Sequence, residues 1–314
     1  MPKYYIGVDG GGTNCRIRLT DADLNVLAEA TTRKSSNLQV RGGNAAYEAV
    51  TELTAAVFAK AGLDISEAEH AAACFGMAGA RMKSARQAFQ ERDFPFENLV
   101  VYDDIDIARA GAHGEGDGGV MIIGTGSAAM ALVDGKRHQS GGWGFFIGDT
   151  MAGAILGREL LRRSLIAHDG LIPKTPLTEA VMARFGNDGD RLMAWSFDNE
   201  DARAAVEATL PDGVKPTHPV PARPVDYGGF TLLFTEYLAK GDPLAAELLE
   251  FELDAIAEYV DWFRSIGTRS IAIVGGFGHS IMAHIRARFG DIIVEEEPVS
   301  LTGAIILARQ HFGK

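Results

Sequence analysis

The sequence predicts an α/β fold of two domains, each a mixed sheet flanked by helices, with a cleft between the domains. Two segments read as an apolar strand, a glycine-rich tip and a second strand, at residues 6–19 and 121–130. Strand-like segments and helical periodicity alternate after the first hairpin, which is typical of an α/β layer. The 314 residues are enough to form two separate cores.

The first hairpin ends one strand on a carboxylate, Asp9, and then turns on three glycines. Cys15, Ile17 and Leu19 give the second strand an inward-facing row. Backbone N–H groups in a tight turn form a concave site for anions, and an adjacent carboxylate suits a hydrated divalent cation. The hairpin therefore predicts a Mg-nucleotide site, whereas the simpler interpretation is a glycine turn that only closes a hairpin.

A second tip of the same kind, Gly-Thr-Gly-Ser at residues 124–127, favours the nucleotide interpretation. Its apolar strands on both sides repeat the pattern of the first hairpin, and Gly135 predicts a further hairpin turn. Two strand-turn-strand segments could hold phosphates from two sides. The repeat is one of predicted structure, since no sequence period can be counted.

The rest of the first half is expected to alternate strands and helices. Asn44 is predicted to cap a helix that stops at Gly62. The other elements are expected at 25–30, 71–76 and 99–102 as strands and at 84–90 as a helix. The glycine-rich segment 111–119 is predicted to mark the domain boundary.

The second half is predicted to contain more helix. Residues 186–228 hold five prolines within a short stretch and are interpreted as a surface loop or as a helical and proline-rich insertion. Helices are expected at 151–167, 230–239, 243–265 and 301–311, and a buried strand at 271–274. The last helix is expected to cross back to the first domain. The predicted domains are therefore residues 1–114 with 299–314, and residues 115–298.

Composition limits the classes of partner. The net charge of −12 and the lack of a basic run argue against nucleic acid and against an anionic membrane surface. No stretch approaches an uninterrupted membrane span, and the start lacks the features of a signal peptide. Both cysteines, Cys15 and Cys74, lie in apolar strand-like runs, which indicates buried thiols in a reducing compartment. We therefore expect a cytoplasmic protein that acts on a small molecule.

Together, Asp9 with the first turn, the second turn and the pair Gly275-Gly276 resemble the actin, hexokinase and Hsp70 superfamily. The resemblance implies two actin-like (ribonuclease H-like) domains. Within that superfamily the chain is similar to the BadF/BadG/BcrA/BcrD branch, which includes glucosamine and N-acetylglucosamine kinases. The supporting motifs are Asp104 in an Asp-x-x-x-Ala pattern and residues 142–149, GWGFFIGD. Residues 111–113 and 167–171 add a likeness to bacterial glucosamine kinases.

The resemblance implies ATP-dependent phosphorylation of the 6-hydroxyl of an amino sugar, glucosamine first and N-acetylglucosamine second. Asp104 would be the general base, with Asp103 and Asp106 as rivals, and Asp9 would bind Mg²⁺. The residues implied for ATP are Gly10, Gly11, Gly12, Thr13, Asn14, Gly124, Thr125, Gly126, Ser127, Gly275 and Gly276. The residues implied for the sugar are Asn37, Asp104, Gly142, Trp143 and Asp149.

One departure and two rivals accompany this hypothesis. Residues 150–152 read Thr-Met-Ala where similar kinases often have Glu-Gly-Ser, which affects the expected sugar site. One rival is an activating ATPase of acyl-CoA dehydratases, in which Cys15 and Cys74 of two chains would share an iron–sulfur cluster. The other is a non-catalytic assembly protein like actin. A homodimer is expected as the assembly state.

Overall fold

The computed structural model describes residues 1–12, 14–211, 213–294 and 299–313, and every structural statement below concerns these residues. The strands are β1 Tyr4–Gly10, β2 Cys15–Asp21, β3 Val26–Thr32, β4 Ala71–Met77, β5 Asn98–Asp103, β6 Gly118–Ile123, β7 Ser127–Val133, β8 Lys136–Gly141 and β9 Ile271–Val274. Short 3-10 segments lie at Val40–Gly43 and Ile65–His70.

Helices fill the connections between these strands and form most of the second half. They are α1 Asn44–Lys60, α2 Lys83–Gln90, α3 Asp104–His113, α4 Gly153–His168, α5 Pro176–Ala183, α6 Gly189–Phe197, α7 Glu200–Glu207, α8 Pro224–Gly228, α9 Thr231–Ala239, α10 Pro243–Ser265, α11 Gly276–Ser280, α12 Met282–Phe289 and α13 Ser300–Phe312. Within the described ranges, none of these helices combines the length and the apolar character needed to span a bilayer.

The two sheets have the same topology. The first has the order β3-β2-β1-β4-β5 and the second the order β8-β7-β6-β9. In each sheet, an antiparallel meander of three strands is followed by a parallel strand next to the first strand of the meander. An isolated parallel bridge from Ile271 to Ile293 stands where the first sheet has β5. The structural repeat that the two hairpins predict is confirmed.

The first sheet is covered on both faces. Ile6, Val8 and Ile17 are fully buried in a core cluster that also holds residues of α1. On the other face, α13 supplies Ala304 and Ile305 to a cluster with residues of β1 and β4. Burial of each aliphatic side chain of this kind stabilises the fold by about 1.5–3 kcal/mol. The last helix therefore packs on the first sheet, as the sequence predicts, although the domain boundaries as such stay a prediction.

Helix α13 approaches the first sheet closely. A Cβ atom on Gly7 would lie 2.9 Å from the carbonyl oxygen of Leu301 and 3.0 Å from Cβ of Ala304. Only glycine at this place in β1 lets the helix backbone reach the strand.

Some boundaries differ from the sequence-based prediction. Asn44 is the first residue of α1 and not its cap, since Gly43, at φ 79°, occupies the cap position. The helix α3 runs to His113, so the predicted boundary segment 111–119 is helical at its start.

The segment 186–228, predicted as a surface loop or as a helical and proline-rich insertion, contains α6, α7 and α8. The side chains of Asp188 and Asn199 cap the first two of these helices by accepting backbone N–H groups at 2.9 Å and 2.8 Å. These two caps stabilise the starts of short helices that precede the proline-rich stretch.

Candidate active site

The first glycine turn connects β1 to β2 beside a carboxylate. Asp9 pairs across the strands with Arg16, whose guanidinium donates to the Asp9 carboxylate. The N–H of Gly11 donates to the carbonyl oxygen of Asn14 at 2.9 Å, so it closes the turn itself. Around Gly12 there is open space where a Cβ would stand. Thr13, predicted to contact phosphate, lies outside the described residues.

Ser36 supports this turn from the loop before α1. Its backbone N–H and its hydroxyl each donate to the carbonyl oxygen of Gly11 at 3.0 Å. Gly10 packs closely against Met77, because a Cβ there would lie 2.6 Å from the flexible end of that side chain. The predicted contact of the Gly11 amide with phosphate stays a prediction, and Gly10 packs at the strand end.

The second glycine turn is tied to the start of a helix. The N–H of Gly124 donates within the turn to the carbonyl oxygen of Gly126 at 3.0 Å, so this amide too closes its own turn. The first amides of α4 hold the turn, with Gly153 donating to Gly124 at 2.8 Å and Ala154 donating to Thr125 at 3.3 Å. The positive end of the α4 dipole thus lies against the turn.

Asp149 packs against the second turn at Gly126. It has a left-handed backbone, with φ 56°, and its buried carboxyl group accepts the N–H of Gly144 at 3.2 Å. Burial raises the pKa of Asp149, while hydrogen bonds from the amides of Gly144 and Ser127 act in the opposite direction. A Cβ on Gly126 would lie 3.0 Å from Asp149 Oδ2. The carboxyl group therefore links the loop after β8 to the second turn.

The departure at residues 150–152 falls at the start of α4. Met151 and Ala152 are fully buried, and Ala152 occupies the cap position of α4 without a side-chain hydrogen bond. Thr150 is exposed and donates to the hydroxyl of Tyr259 at 3.3 Å. These three residues thus serve packing and one surface contact at this helix end.

Two adjacent carboxyl groups lie at the end of β5. Asp103 is the last residue of β5 and Asp104 is the first residue of α3. Because only Asp103 belongs to the strand, the alternation of side chains along a strand does not place the two carboxyl groups on opposite faces. Gln139 Nε2 donates to the carboxylate of Asp103 at 3.1 Å. The pKa of Asp104 is raised well above its usual range by burial and then by the charges of Asp103 and Asp9. Burial also raises the pKa of Asp103.

Asp106 is engaged elsewhere. Arg137 on β8 donates to both of its carboxylate oxygens, from Nε at 2.6 Å and from Nη2 at 2.9 Å. This partly buried bidentate pair joins α3 to the second sheet. It leaves Asp103 and Asp104 as the candidates for a general base.

Parallel register brings these groups to one edge of the first sheet. Gly10 pairs with Met77, and Met77 pairs with Asp103. The first turn and the carboxyl pair therefore lie two strands apart, at roughly 10 Å. Strands β1, β4 and β5 all end here, which is where an open α/β sheet places its ligands.

The residues predicted for the sugar come from both halves. Asn37 Oδ1 accepts the N–H of Gln39 at 2.9 Å and lies 2.6 Å from the place of a Cβ on Gly79. Trp143 is 62% exposed, so it is not a core aromatic. The guanidinium of Arg81 lies 3.9 Å from the centroid of the Trp143 ring.

Gly142 completes this group, because a Cβ there would lie 3.6 Å from Cδ of Arg81 and 3.9 Å from Nε2 of Gln139. Arg81 and Gln139 were not predicted from the sequence. Neither stands in a glycine motif or a helical period that could have marked it.

A cavity of about 320 Å³ adjoins the second turn. Gly275, at φ 110°, allows close contact, because a Cβ there would lie 2.5 Å from the carbonyl oxygen of Ile123. The glycine pair and the second turn are therefore neighbours, as the sequence predicts for a nucleotide site. The cavity is lined by Gly124, Thr125, Gly153, Gly228, Thr231, Leu232, Thr235, Gly276, Phe277 and Ser280.

The donor set fits a magnesium ion that is shared with phosphates. Asp9 offers a carboxylate beside an open turn, and Mg²⁺ in such sites uses one or two carboxylates together with phosphate oxygens and water. Among the described residues, no group of three or more His, Cys, Asp or Glu could hold a metal ion by itself. An ion here would therefore depend on the phosphates for most of its ligands.

The two cysteines are fully buried. Burial raises the pKa of Cys15 to about 11 and raises that of Cys74 further. Cys15 is paired with Gly10 and Cys74 with Gly7, so both thiols lie inside the first sheet. Neither is placed to ligate a cluster at a surface between two chains.

Comparison with known proteins identifies relatives over nearly the full length. The sequence model of the BadF/BadG/BcrA/BcrD ATPase family matches residues 6–312. Glucosamine kinase GspK of Vibrio cholerae is 30% identical over 306 residues, which cover 98% of this chain and 96% of the relative. N-acetyl-D-glucosamine kinase of Dictyostelium discoideum is 29% identical over 210 residues, covering 62% of this chain and 65% of the relative.

Solved structures show the same architecture. A Chromobacterium violaceum protein provisionally named N-acetylglucosamine kinase superposes with a TM-score of 0.81 at 30% identity, over 98% of this chain and 99% of the other. A Porphyromonas gingivalis protein with the same provisional name has a TM-score of 0.67 at 16% identity, over 99% and 100% of the two chains. At that identity the second match concerns the fold alone.

Proposed function

Since the chain belongs to the BadF/BadG/BcrA/BcrD ATPase family, we propose that it is an ATP-dependent kinase that phosphorylates the 6-hydroxyl of an amino sugar. Glucosamine is the first expected acceptor and N-acetylglucosamine the second, in keeping with the names of the relatives. The observation that carries the proposal is the shared sheet edge, where the first glycine turn and Asp104 lie two strands apart.

The two glycine turns are proposed to hold the phosphates. Because the amides of Gly11 and Gly124 close their own turns, we assign phosphate contact to the amides of Gly12, Thr125 and Gly126. Thr13 is assigned by resemblance alone. The other residues expected at the nucleotide shape the turns and the adenosine cavity: Gly10, Gly11, Asn14, Gly124, Ser127, Gly275 and Gly276.

Asp9 is proposed to bind Mg²⁺ through water, which requires Arg16 to give up the carboxylate. Bound Mg²⁺ would supply charge neutralisation on the transferred phosphoryl group. In the unligated protein, the guanidinium of Arg16 neutralises the charge of Asp9 in place of Mg²⁺. The pair therefore keeps the carboxylate beside the turn until a Mg-nucleotide arrives.

Asp104 is proposed to take the proton of the sugar 6-hydroxyl as the new P–O bond forms. A general base works best when its pKa lies near the working pH, and burial and neighbouring carboxylates raise the pKa of Asp104 in that direction. Asp103 accepts a hydrogen bond from Gln139 at 3.1 Å and is the second carboxylate of the pair, next to Asp104. The first turn of α3 fixes the backbone of Asp104.

The sugar is proposed to contact Asn37, Gly142 and Trp143 as well as Asp104. Asp149, predicted to contact the sugar directly, is better supported as a positioning residue, because its carboxyl group already accepts the amides of Gly144 and Ser127. Closure of the two halves over the sugar would exclude water and limit ATP hydrolysis.

The test is a coupled ADP-release assay with Mg-ATP and separate acceptors. Glucosamine, N-acetylglucosamine, glucose and N-acetylmuramic acid rank the acceptor, and a 6-deoxy analogue of the best sugar tests the hydroxyl. We expect sugar-dependent ADP release that disappears with the 6-deoxy sugar. ADP release that is absent, or equal without sugar, would favour the activating ATPase, and iron analysis would follow. Sedimentation tests the expected homodimer, and fractionation tests the cytoplasmic location.

A further inference from the structure

Arg81 is one of the two residues of the site that no motif predicts. It lies between β4 and α2, and its guanidinium stacks on the ring of Trp143 at 3.9 Å. Trp143 belongs to the loop after β8, so the contact joins the two halves of the chain. Such a cation–π contact is attractive, and more so when it is desolvated.

The guanidinium also carries an unused donor. Its Nε–H is buried and has no hydrogen-bond partner among the described residues. A buried donor without a partner is destabilising, so a persistent one indicates a ligand group or water that completes it. The carboxylate whose charge acts on Arg81, Asp103, accepts a hydrogen bond from Gln139.

The surroundings of Arg81 are those of the proposed sugar site. Cδ of Arg81 is 3.6 Å from the place of a Cβ on Gly142, and Gly79, two residues earlier, adjoins Asn37. Trp143 remains 62% exposed in spite of the stacked guanidinium, so much of its ring can still contact a ligand. Arg81 therefore lies among three groups expected around the acceptor.

We propose that Arg81 binds the acceptor sugar directly, by donating its Nε–H to a sugar oxygen while it holds the Trp143 ring in place. This inference rests on the proposed kinase function. A sugar hydroxyl or an acetamide carbonyl can accept this hydrogen bond, whereas a C2 ammonium group cannot. Arg81 therefore contributes to recognition of sugar oxygens and not of the amine.

The test compares Arg81→Met and Arg81→Lys with Arg92→Met. Met keeps an apolar stem, and Lys keeps the charge but loses the planar group and the Nε donor. Arg92 is the matched control, because its guanidinium lies 5.3 Å from the ring of Tyr47, away from the carboxyl pair. Steady-state kinetics with varied sugar and varied Mg-ATP separate the two sites.

We expect Arg81→Met to raise the sugar KM about 10- to 100-fold, with kcat and the KM of Mg-ATP changed less than about threefold. Arg81→Lys should show a smaller rise, and Arg92→Met none. Tryptophan fluorescence provides a readout apart from turnover: sugar should alter the emission of the unaltered protein, Trp143→Phe should remove that change, and Arg81→Met should shift it to higher sugar concentration.

The outcomes separate this inference from the proposed function. Without sugar-dependent ADP release by the unaltered chain, both are overturned. With that activity present, an unchanged sugar KM in Arg81→Met overturns the role of Arg81 alone, as does an equal rise in Arg92→Met. If Arg81→Met does not fold, Arg81→Lys carries the test, since an unchanged sugar KM there overturns direct donation from Nε.

Discussion

The two glycine hairpins have the same topology but are supported differently. The first turn lies beside Asp9, which is paired with Arg16, and is held by Ser36 from a loop. The second turn has no carboxylate in its leading strand and is held by two amides at the start of α4. Asp149 also packs against this second turn, at Gly126.

This difference shows how a repeated backbone can take on two tasks. A carboxylate at the first turn can attract a cation, and an arginine on the next strand keeps it neutral without one. At the second turn, helix amides fix the backbone and their dipole favours phosphate. The predictions below test this division, from the largest expected effect to the smallest.

Asp104→Asn should lower kcat by about 10²- to 10⁴-fold with little change in the KM of Mg-ATP, because an amide cannot take the hydroxyl proton. Asp149→Asn is the counterpart in the second half. It should destabilise the protein, since its carboxyl group organises two segments, and should raise the KM of Mg-ATP. Steady-state kinetics together with melting temperatures distinguish the effects of the two variants. Near-normal turnover of Asp104→Asn would transfer the role of base to Asp103.

Asp9→Ala should weaken binding of the Mg-nucleotide about 10- to 100-fold, and extra Mg²⁺ should recover part of the loss. Arg16→Gln is the control, since it removes only the partner of Asp9 in the unligated protein and should leave binding equal or tighter. Calorimetric titration with a non-hydrolysable ATP analogue at several Mg²⁺ concentrations measures both. An Asp9→Ala variant with unchanged affinity would contradict the division of tasks.

Gly12→Ala should raise the KM of Mg-ATP about 3- to 10-fold and leave the melting temperature unchanged. The added methyl group meets no atom of the described residues beyond its chain neighbours, so we expect it to interfere with a ligand in the turn. Gly126→Ala should raise the same KM and also lower the melting temperature, because its methyl group would press on Asp149 Oδ2. If both variants melt alike, the proposed difference in support is wrong.

Both hairpins could be predicted from the sequence because they depend on local signals: period-two alternation, glycine at the tips and a carboxylate at a strand end. The segment 186–228 was predicted as partly helical, but the bounds of α6 and α7 were not, although Asp188 and Asn199 are cap residues that mark their starts.

The contacts of Arg81 and Gln139 could not be predicted. Each joins segments that are distant in sequence, and the packing of the two halves alone brings them together. The pairing of Asp9 with Arg16 follows from the hairpin register, once that register is known.

The last prediction concerns the cores of the two halves. Glu252 on α10 is fully buried in the core cluster of the second half, and both carboxyl oxygens lack a partner among the described residues. Burial raises its pKa to about 8. The folded protein therefore keeps a proton that the unfolded chain loses near pH 4.5. The contribution of this group to the free energy of unfolding is fully present below pH 4.5 and is lost as pH rises toward 8.

Glu252→Gln removes this pH dependence, because it replaces the titrating carboxyl group with a neutral amide of the same shape. Each pH unit in that window corresponds to about 1.4 kcal/mol of stability, or a few degrees of melting temperature. The melting temperature of Glu252→Gln relative to the unaltered protein should therefore rise between pH 6 and pH 8. Glu258→Gln, an exposed position on the same helix, should change nothing. Parallel curves for all three proteins would show that the buried carboxyl group does not hold its proton.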